Sequence, residues 1–186
     1  ANPVSMLSRW KIFDNLRRSL APAALTVFLV LGWTALPASW PWTLSVIGFI
    51  LIPSLFAASL DLFRKPDEIR VGQHLAASAQ STVHRFEQAA FSFACLPYEA
   101  LFSLGAIVRT SVRMLITHKH LLEWNPSNSA DRDGGTSIMA LFQSMWIGPA
   151  IAASVTAYLT LARPGSLVEA APILGLWLFA PLWVLW

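Results

Sequence analysis

Four stretches of this chain are too long and too apolar to belong anywhere but in a bilayer. They are Leu20 to Leu36, Trp42 to Leu62, Ile138 to Ala162 and Glu169 to Trp186. Each approaches or exceeds the ~17–25 residues that a helix needs to cross the hydrocarbon core. In lipid, every backbone N–H and C=O must be satisfied within the segment or by a neighbour, so these stretches are expected to be helical. The expected fold class is therefore all-α: a polytopic membrane protein with four transmembrane helices and amphipathic interface helices. Composition agrees with this reading. Of 186 residues, 55% are hydrophobic and only 12% are charged, whereas soluble domains carry about a quarter charged residues.

The spans pair into two hairpins. Pro37-Ala-Ser-Trp-Pro-Trp42 is a tight turn between the first two, and Arg163-Pro-Gly-Ser-Leu-Val168 is another between the last two. This divides the chain into a lead-in (1–19), a first hairpin (20–62), a helical interface region (63–137) and a second hairpin (138–186). Charge gives the orientation. Arg9, Lys11, Arg17 and Arg18 precede the first span, and Arg64, Lys65, Arg70, Arg85, Arg109, Arg113, Lys119 and Arg132 lie in the middle region. Only Arg163 of the 13 basic residues falls on the other side. The positive-inside bias places both ends and the middle region in the cytoplasm, with the protein in a bacterial inner membrane. The net charge of +3 thus reflects membrane orientation and not nucleic-acid binding, because no run of Lys and Arg is interleaved with stacking aromatics. Trp33, Trp40 and Trp42 are expected to form an aromatic belt at the opposite interface. The start at Ala1 and the still-apolar end at Trp186 suggest cuts through a longer polypeptide.

The middle region is too long to lack structure. Leu75, Ala79, Val83, Phe86, Ala90 and Phe93 recur with helical spacing across Gln73 to Ala94. Leu96-Pro97 fits a fresh helix start, since proline suits a first turn. Leu101, Leu104, Val108, Val112, Leu115 and Ile116 then form a stripe, with Arg109 and Arg113 four residues apart on another side. A helix over Pro97 to Leu122 is expected to lie at the cytoplasmic interface. Asn125 to Ser137 is a polar turn region. Pro53, Pro149, Pro172 and Pro181 fall inside spans, where their freed carbonyls need partners. They mark simple kinks or, for Pro53 and Pro149, bends around a conduit.

Motifs for chemistry are sparse. Asp131-Arg132-Asp133 has an Asp-x-Asp form that can hold a divalent metal, but it sits in a polar turn and not at the end of a buried strand. His118-Lys119-His120 lacks further donors at ligand spacing, and His74 and His84 stand ten residues apart with no partner pattern. The single cysteine, Cys95, has no activating neighbour in sequence. Asp61, near the end of the second span, is expected to pair with Arg64 or Lys65 at the interface. No catalytic, cofactor-binding or metal-binding residue is assigned.

One stretch is specific. Ser8-Arg-Trp-Lys-Ile-Phe-Asp-Asn-Leu-Arg-Arg-Ser-Leu20 resembles the segment that precedes a membrane hairpin in bacterial cyclic β-1,2-glucan synthases. Leu96-Pro97-Tyr98, Ala106-Ile107, Arg109-Thr110 and Leu121-Leu-Glu-Trp124 follow with similar order and spacing. The resemblance implies a large inner-membrane enzyme whose glycosyltransferase domain elongates a β-1,2-glucan from UDP-glucose with a divalent metal. It also implies further domains that cyclise the product and adjust its length. This chain corresponds to the membrane region between the transferase and cyclising domains, so the nucleotide and metal residues lie upstream. A Gln-x-x-Arg-Trp motif of related transferases is not matched, because Met6 holds the Gln place before Arg9-Trp10.

On this resemblance the expected partners are membrane lipid, catalytic domains of the same polypeptide, UDP-glucose and glucan. Arg109, Arg113 and Trp124 are candidates for an interface platform beneath the transferase domain. Gln143, Ser144, Trp146 and Trp177 supply the flat aromatic faces and hydrogen-bonding groups that a glucan path requires. The alternative is a non-enzymatic membrane scaffold subunit of a larger complex. A transporter half is disfavoured by the lack of charge at the midplane of any span.

Overall fold

The computed structural model describes residues 5–63, 71–118 and 138–184. Every regular element among them is helical. The elements are α1 (Met6–Thr34), α2 (Trp40–Phe63), α3 (Val71–Val112, ending in a π-helical turn Arg113–Thr117), α4 (Ile138–Ser144), α5 (Ile147–Ala162) and α6 (Pro164–Trp183). Four helices are long and apolar enough to cross a membrane: α1, α2, α3 with its π turn, and α6. α5 is a shorter apolar helix. The chain is an integral membrane protein. On α2, only Thr43 and Val46 are buried, while Leu44, Phe49, Ile52, Leu55 and Phe56 face outwards. A helix that is apolar on nearly every side and mostly unpartnered needs lipid as its solvent.

The four spanning candidates differ in part from those read off the sequence. Ile138 to Ala162 is not one helix. It breaks between Ser144 and Ile147 into α4 and α5. Pro149 has no N–H for the Met145 carbonyl four residues earlier, and that carbonyl instead accepts from Gly148 N at 3.3 Å. Conversely, the middle region is not two helices divided before Pro97. α3 runs unbroken for 42 residues through that proline, about 63 Å at 1.5 Å per residue. That is roughly twice the thickness of a hydrocarbon core.

The two tight turns lie together. Arg163 donates through Nη1 to the Leu36 carbonyl, and Ser39 Oγ and Ser166 Oγ share a hydrogen bond of 2.7 Å. The α1–α2 and α5–α6 hairpins therefore close at one end, the turn end, and open at the other. α3 starts at the open end, where His74 Nε2 lies 3.2 Å from the Leu62 carbonyl. It then packs against α1, α2, α5 and α6. Its stretch 89–100 is sunk in the bundle, with Ala89 and residues 93–97 buried, as is Ala100. The core joins Leu29 and Trp33 of α1, Val46 of α2, Phe93 and Leu96 of α3, Val155 and Leu159 of α5, and Ile173, Leu174 and Trp177 of α6.

Close approach is built in at two glycines. A Cβ on Gly32 of α1 would lie 2.8 Å from Trp42 Cβ of α2, and one on Gly148 of α5 would lie 3.1 Å from the Trp177 carbonyl of α6. Small residues at helix crossings let backbones meet where no hydrophobic effect drives association.

Candidate functional site at the open end of the bundle

The deepest polar feature is a thread of hydrogen bonds that runs from the turn end into the core. Ser39 meets Ser166, and the Ser39 carbonyl accepts from Thr43 Oγ1 at 3.1 Å. Thr43 Oγ1 in turn accepts from Trp33 Nε1 at 2.9 Å. The Trp33 and Trp177 rings lie 5.6 Å apart at 52°, and Trp177 Nε1 donates to the Phe93 carbonyl at 2.9 Å. Both tryptophans have no accessible surface. The last bond has a specific origin. Pro97 lacks the N–H that would normally bond the carbonyl four residues earlier, which is that of Phe93. The indole of Trp177 supplies the missing donor, and this lets α3 continue through Pro97.

Trp177 is thus a strut, and Gln143 and Trp146 both face outwards. The structure does not bring these three glucan-path candidates to one surface. Trp33 also belongs to the core and not to an aromatic belt. Trp40 is exposed beside the turns, and Trp42 meets Phe28 edge-on with centroids 5.2 Å apart. Of the platform candidates, Arg109 is exposed, Arg113 is half-buried and has a partner, and Trp124 lies outside the described residues. The stripe Leu101, Leu104, Val108, Val112, Leu115 and Ile116 is exposed along its length. His118 ends α3 in the left-handed region (φ 49°), with its N–H on the Arg113 carbonyl at 2.8 Å. Lys119, His120 and the Asp131-Arg132-Asp133 motif lie outside the described residues. Cys95 is free and buried.

Polar groups gather at the open end. Asp61 of α2 pairs across helices with Arg85 of α3 at 2.6 Å, while Arg64 and Lys65, the partners expected from sequence, lie outside the described residues. Among the described residues, Arg85 Nε is buried with no partner. Beside Arg85 on α3, His84 Nδ1 lies 3.4 Å from Glu87 Oε2, and His84 Nε2 lies 3.3 Å from Gln88 Nε2. A neutral imidazole protonated on Nδ1 satisfies both contacts. In the lead-in of α1, before the apolar stretch, Asp14 pairs with Arg17 at 3.0 Å and Arg18 at 2.6 Å. The Arg17 hydrogen bond, with help from Arg18, holds the Asp14 carboxyl below its ordinary range. Among the described residues, no three His, Cys, Asp or Glu side chains form a group that can hold a metal ion.

No family model matches the chain. Across 185 residues, 97% of its length, it is 31% identical to the cyclic beta-(1,2)-glucan synthase NdvB of Rhizobium meliloti (strain 1021). This chain belongs to the cyclic β-1,2-glucan synthase family. It spans 6% of the length of that relative. Within the family, then, this stretch is a helical membrane unit. The tryptophan strut, the serine contact between turns and the polar cluster on α3 are features of that unit.

Proposed function

We propose that this chain is the membrane-embedded part of a cyclic β-1,2-glucan synthase, supporting a UDP-glucose-dependent glucosyltransferase at the open end of the bundle. The observation that carries this reading is the near-complete alignment of the chain with a named synthase, on a bundle whose two hairpins both open to one side. Catalytic domains of the same polypeptide attach on that side, and the divalent metal resides in the transferase domain. The outward-facing stripe of α3, with Arg109 and Arg113, forms the platform. Membranes carrying the intact gene are expected to incorporate UDP-glucose into β-1,2-glucan. Well-expressed protein that incorporates none would end the enzymatic reading and leave a scaffold.

The open end faces the cytoplasm of a bacterial inner membrane, in keeping with the sidedness of the basic residues. In a Cys95→Ala background, a cysteine placed at Ala38 or Gly165 is expected to react with an impermeant maleimide in cells whose outer membrane has been permeabilised. One at Ser5 or Gln73 should react only after the inner membrane is lysed. The reverse pattern would invert the bundle.

A further inference from the structure

Where α3 passes the last turn of α6, the open end carries a groove of about 670 Å³, lined by Glu87, Gln88, Phe91 and Ser92 of α3 and by Trp183 and Val184. The spacing of the α3 residues puts them on one face of the helix. Phe91 and Trp183 are 42% and 41% exposed, so both rings offer surface to an occupant. A groove filled by lipid tails has no use for a carboxylate and an amide, and an ordinary solvated helix face does not keep a Trp and a Phe together. A ligand that is apolar on its faces and hydroxylated around its rim uses both kinds of lining. Pyranose sugars have that shape: axial C–H bonds pack on aromatic rings while ring hydroxyls bond carboxylate, amide and hydroxyl groups.

The polar side is also held in place. His84 bridges Glu87 and Gln88, with contacts of 3.4 Å and 3.3 Å. The Asp61–Arg85 pair anchors the same stretch of α3 to α2. Groups fixed in this way lose less freedom on binding than free side chains do.

We infer that the groove between α3 and the end of α6 is a binding site for an uncharged glucose oligosaccharide, the growing or finished glucan, at the cytoplasmic mouth of the membrane unit. Trp183 and Phe91 supply the stacking faces, and Glu87, Gln88 and Ser92 bond the hydroxyls. This rests on the proposed function for the identity of the sugar.

The test uses the full-length polypeptide in lipid nanodiscs, with purified cyclic β-1,2-glucan as the probe and calorimetry as the readout. Trp183→Leu keeps apolar volume but removes the aromatic face, and is expected to weaken binding about tenfold, one good contact's worth. Glu87→Gln keeps the shape and is expected to weaken it about threefold. Trp40→Ala, an exposed tryptophan at the turn end, should bind as the parent does. Unchanged affinity in both groove variants, or no binding to the parent, overturns the inference. If the parent makes glucan from UDP-glucose under either of those outcomes, the groove assignment alone falls. If it neither makes nor binds glucan, the proposed function falls with it.

Discussion

Trp177→Phe is expected to destabilise the bundle by about 1–3 kcal/mol, the usual penalty for leaving a buried acceptor unmade, and most of that loss is expected to vanish when Pro97 is alanine. The indole N–H is the partner of the Phe93 carbonyl at 2.9 Å, in a buried setting. That carbonyl needs an outside donor only because residue 97 has no N–H. Alanine at 97 provides the donor from within α3, so the indole becomes dispensable. Phenylalanine also trims the contact with Trp33, but it does so equally in both backgrounds, and a double-mutant cycle cancels it. Unfolding in detergent micelles of the parent, Trp177→Phe, Pro97→Ala and the double variant gives the coupling directly. A coupling of about 1 kcal/mol or more is expected, within the range for residues that share one network. Equal costs of Trp177→Phe in both backgrounds would show that the indole bond does not answer to the proline.

This pair also shows where reading the sequence stops. Leu96-Pro97 follows an apolar repeat and looks like a helix restart, because a local rule puts proline in first turns. The same proline implies a freed carbonyl at Phe93, and that half of the argument is available from sequence. The donor is 84 positions later in the chain, and no local pattern announces it. Tertiary supply of one hydrogen bond turned an expected helix boundary into the middle of a 42-residue helix. Asp61 follows the same logic. Its charge at a span's end demands a partner, and the fold brings one, Arg85, from 24 positions along the chain, which no local pattern announces. Trp33 and Trp177 were legible as large amphipathic rings but not as core struts, because burial depends on which helices meet. Hairpin pairing needed less, since short turns force neighbours together. The open-end groove mixes α3 residues with Trp183, so it becomes visible only once α3 is seen lying along α6.

The prolines within the helices divide by how their freed carbonyls are served. Pro149 breaks its helix, and the Met145 carbonyl turns to Gly148 N. Pro181 frees the Trp177 carbonyl, and Gly148 of α5 comes so near that a Cβ there would sit 3.1 Å from that oxygen. A backbone Cα–H can then approach the oxygen as a weak donor. Trp177 thus joins two proline sites, giving its indole N–H to the carbonyl left by Pro97 and turning its own carbonyl, left by Pro181, toward α5. The indole supplies one of the two lost donors, and the glycine lets α5 come close to the other freed carbonyl.

Gly32→Ala is expected to destabilise the bundle by about 1–3 kcal/mol through overpacking, and its sign is the informative part. In a helix with free space at the position, alanine replaces glycine with a gain of about 1 kcal/mol in helix propensity. At Gly32 the added Cβ would meet Trp42 Cβ at 2.8 Å and Cγ at 3.2 Å. Trp42 Cβ is fixed to its backbone and cannot swing aside, and its ring packs edge-on against Phe28. The two helices must then separate. Separation stretches the Trp33–Thr43 bond of 2.9 Å and uncovers Val46, which is 1% exposed. Gly175 supplies the comparison, since a Cβ there meets nothing within 4 Å. Gly175→Ala is expected to be neutral or stabilising in the same micelle unfolding measurement. Opposite signs at the two glycines would establish α1–α2 contact at Gly32 as a condition for the bundle. The same sign at both would mean that the hairpin closes without it, and that the tryptophan strut alone sets the spacing of the helices.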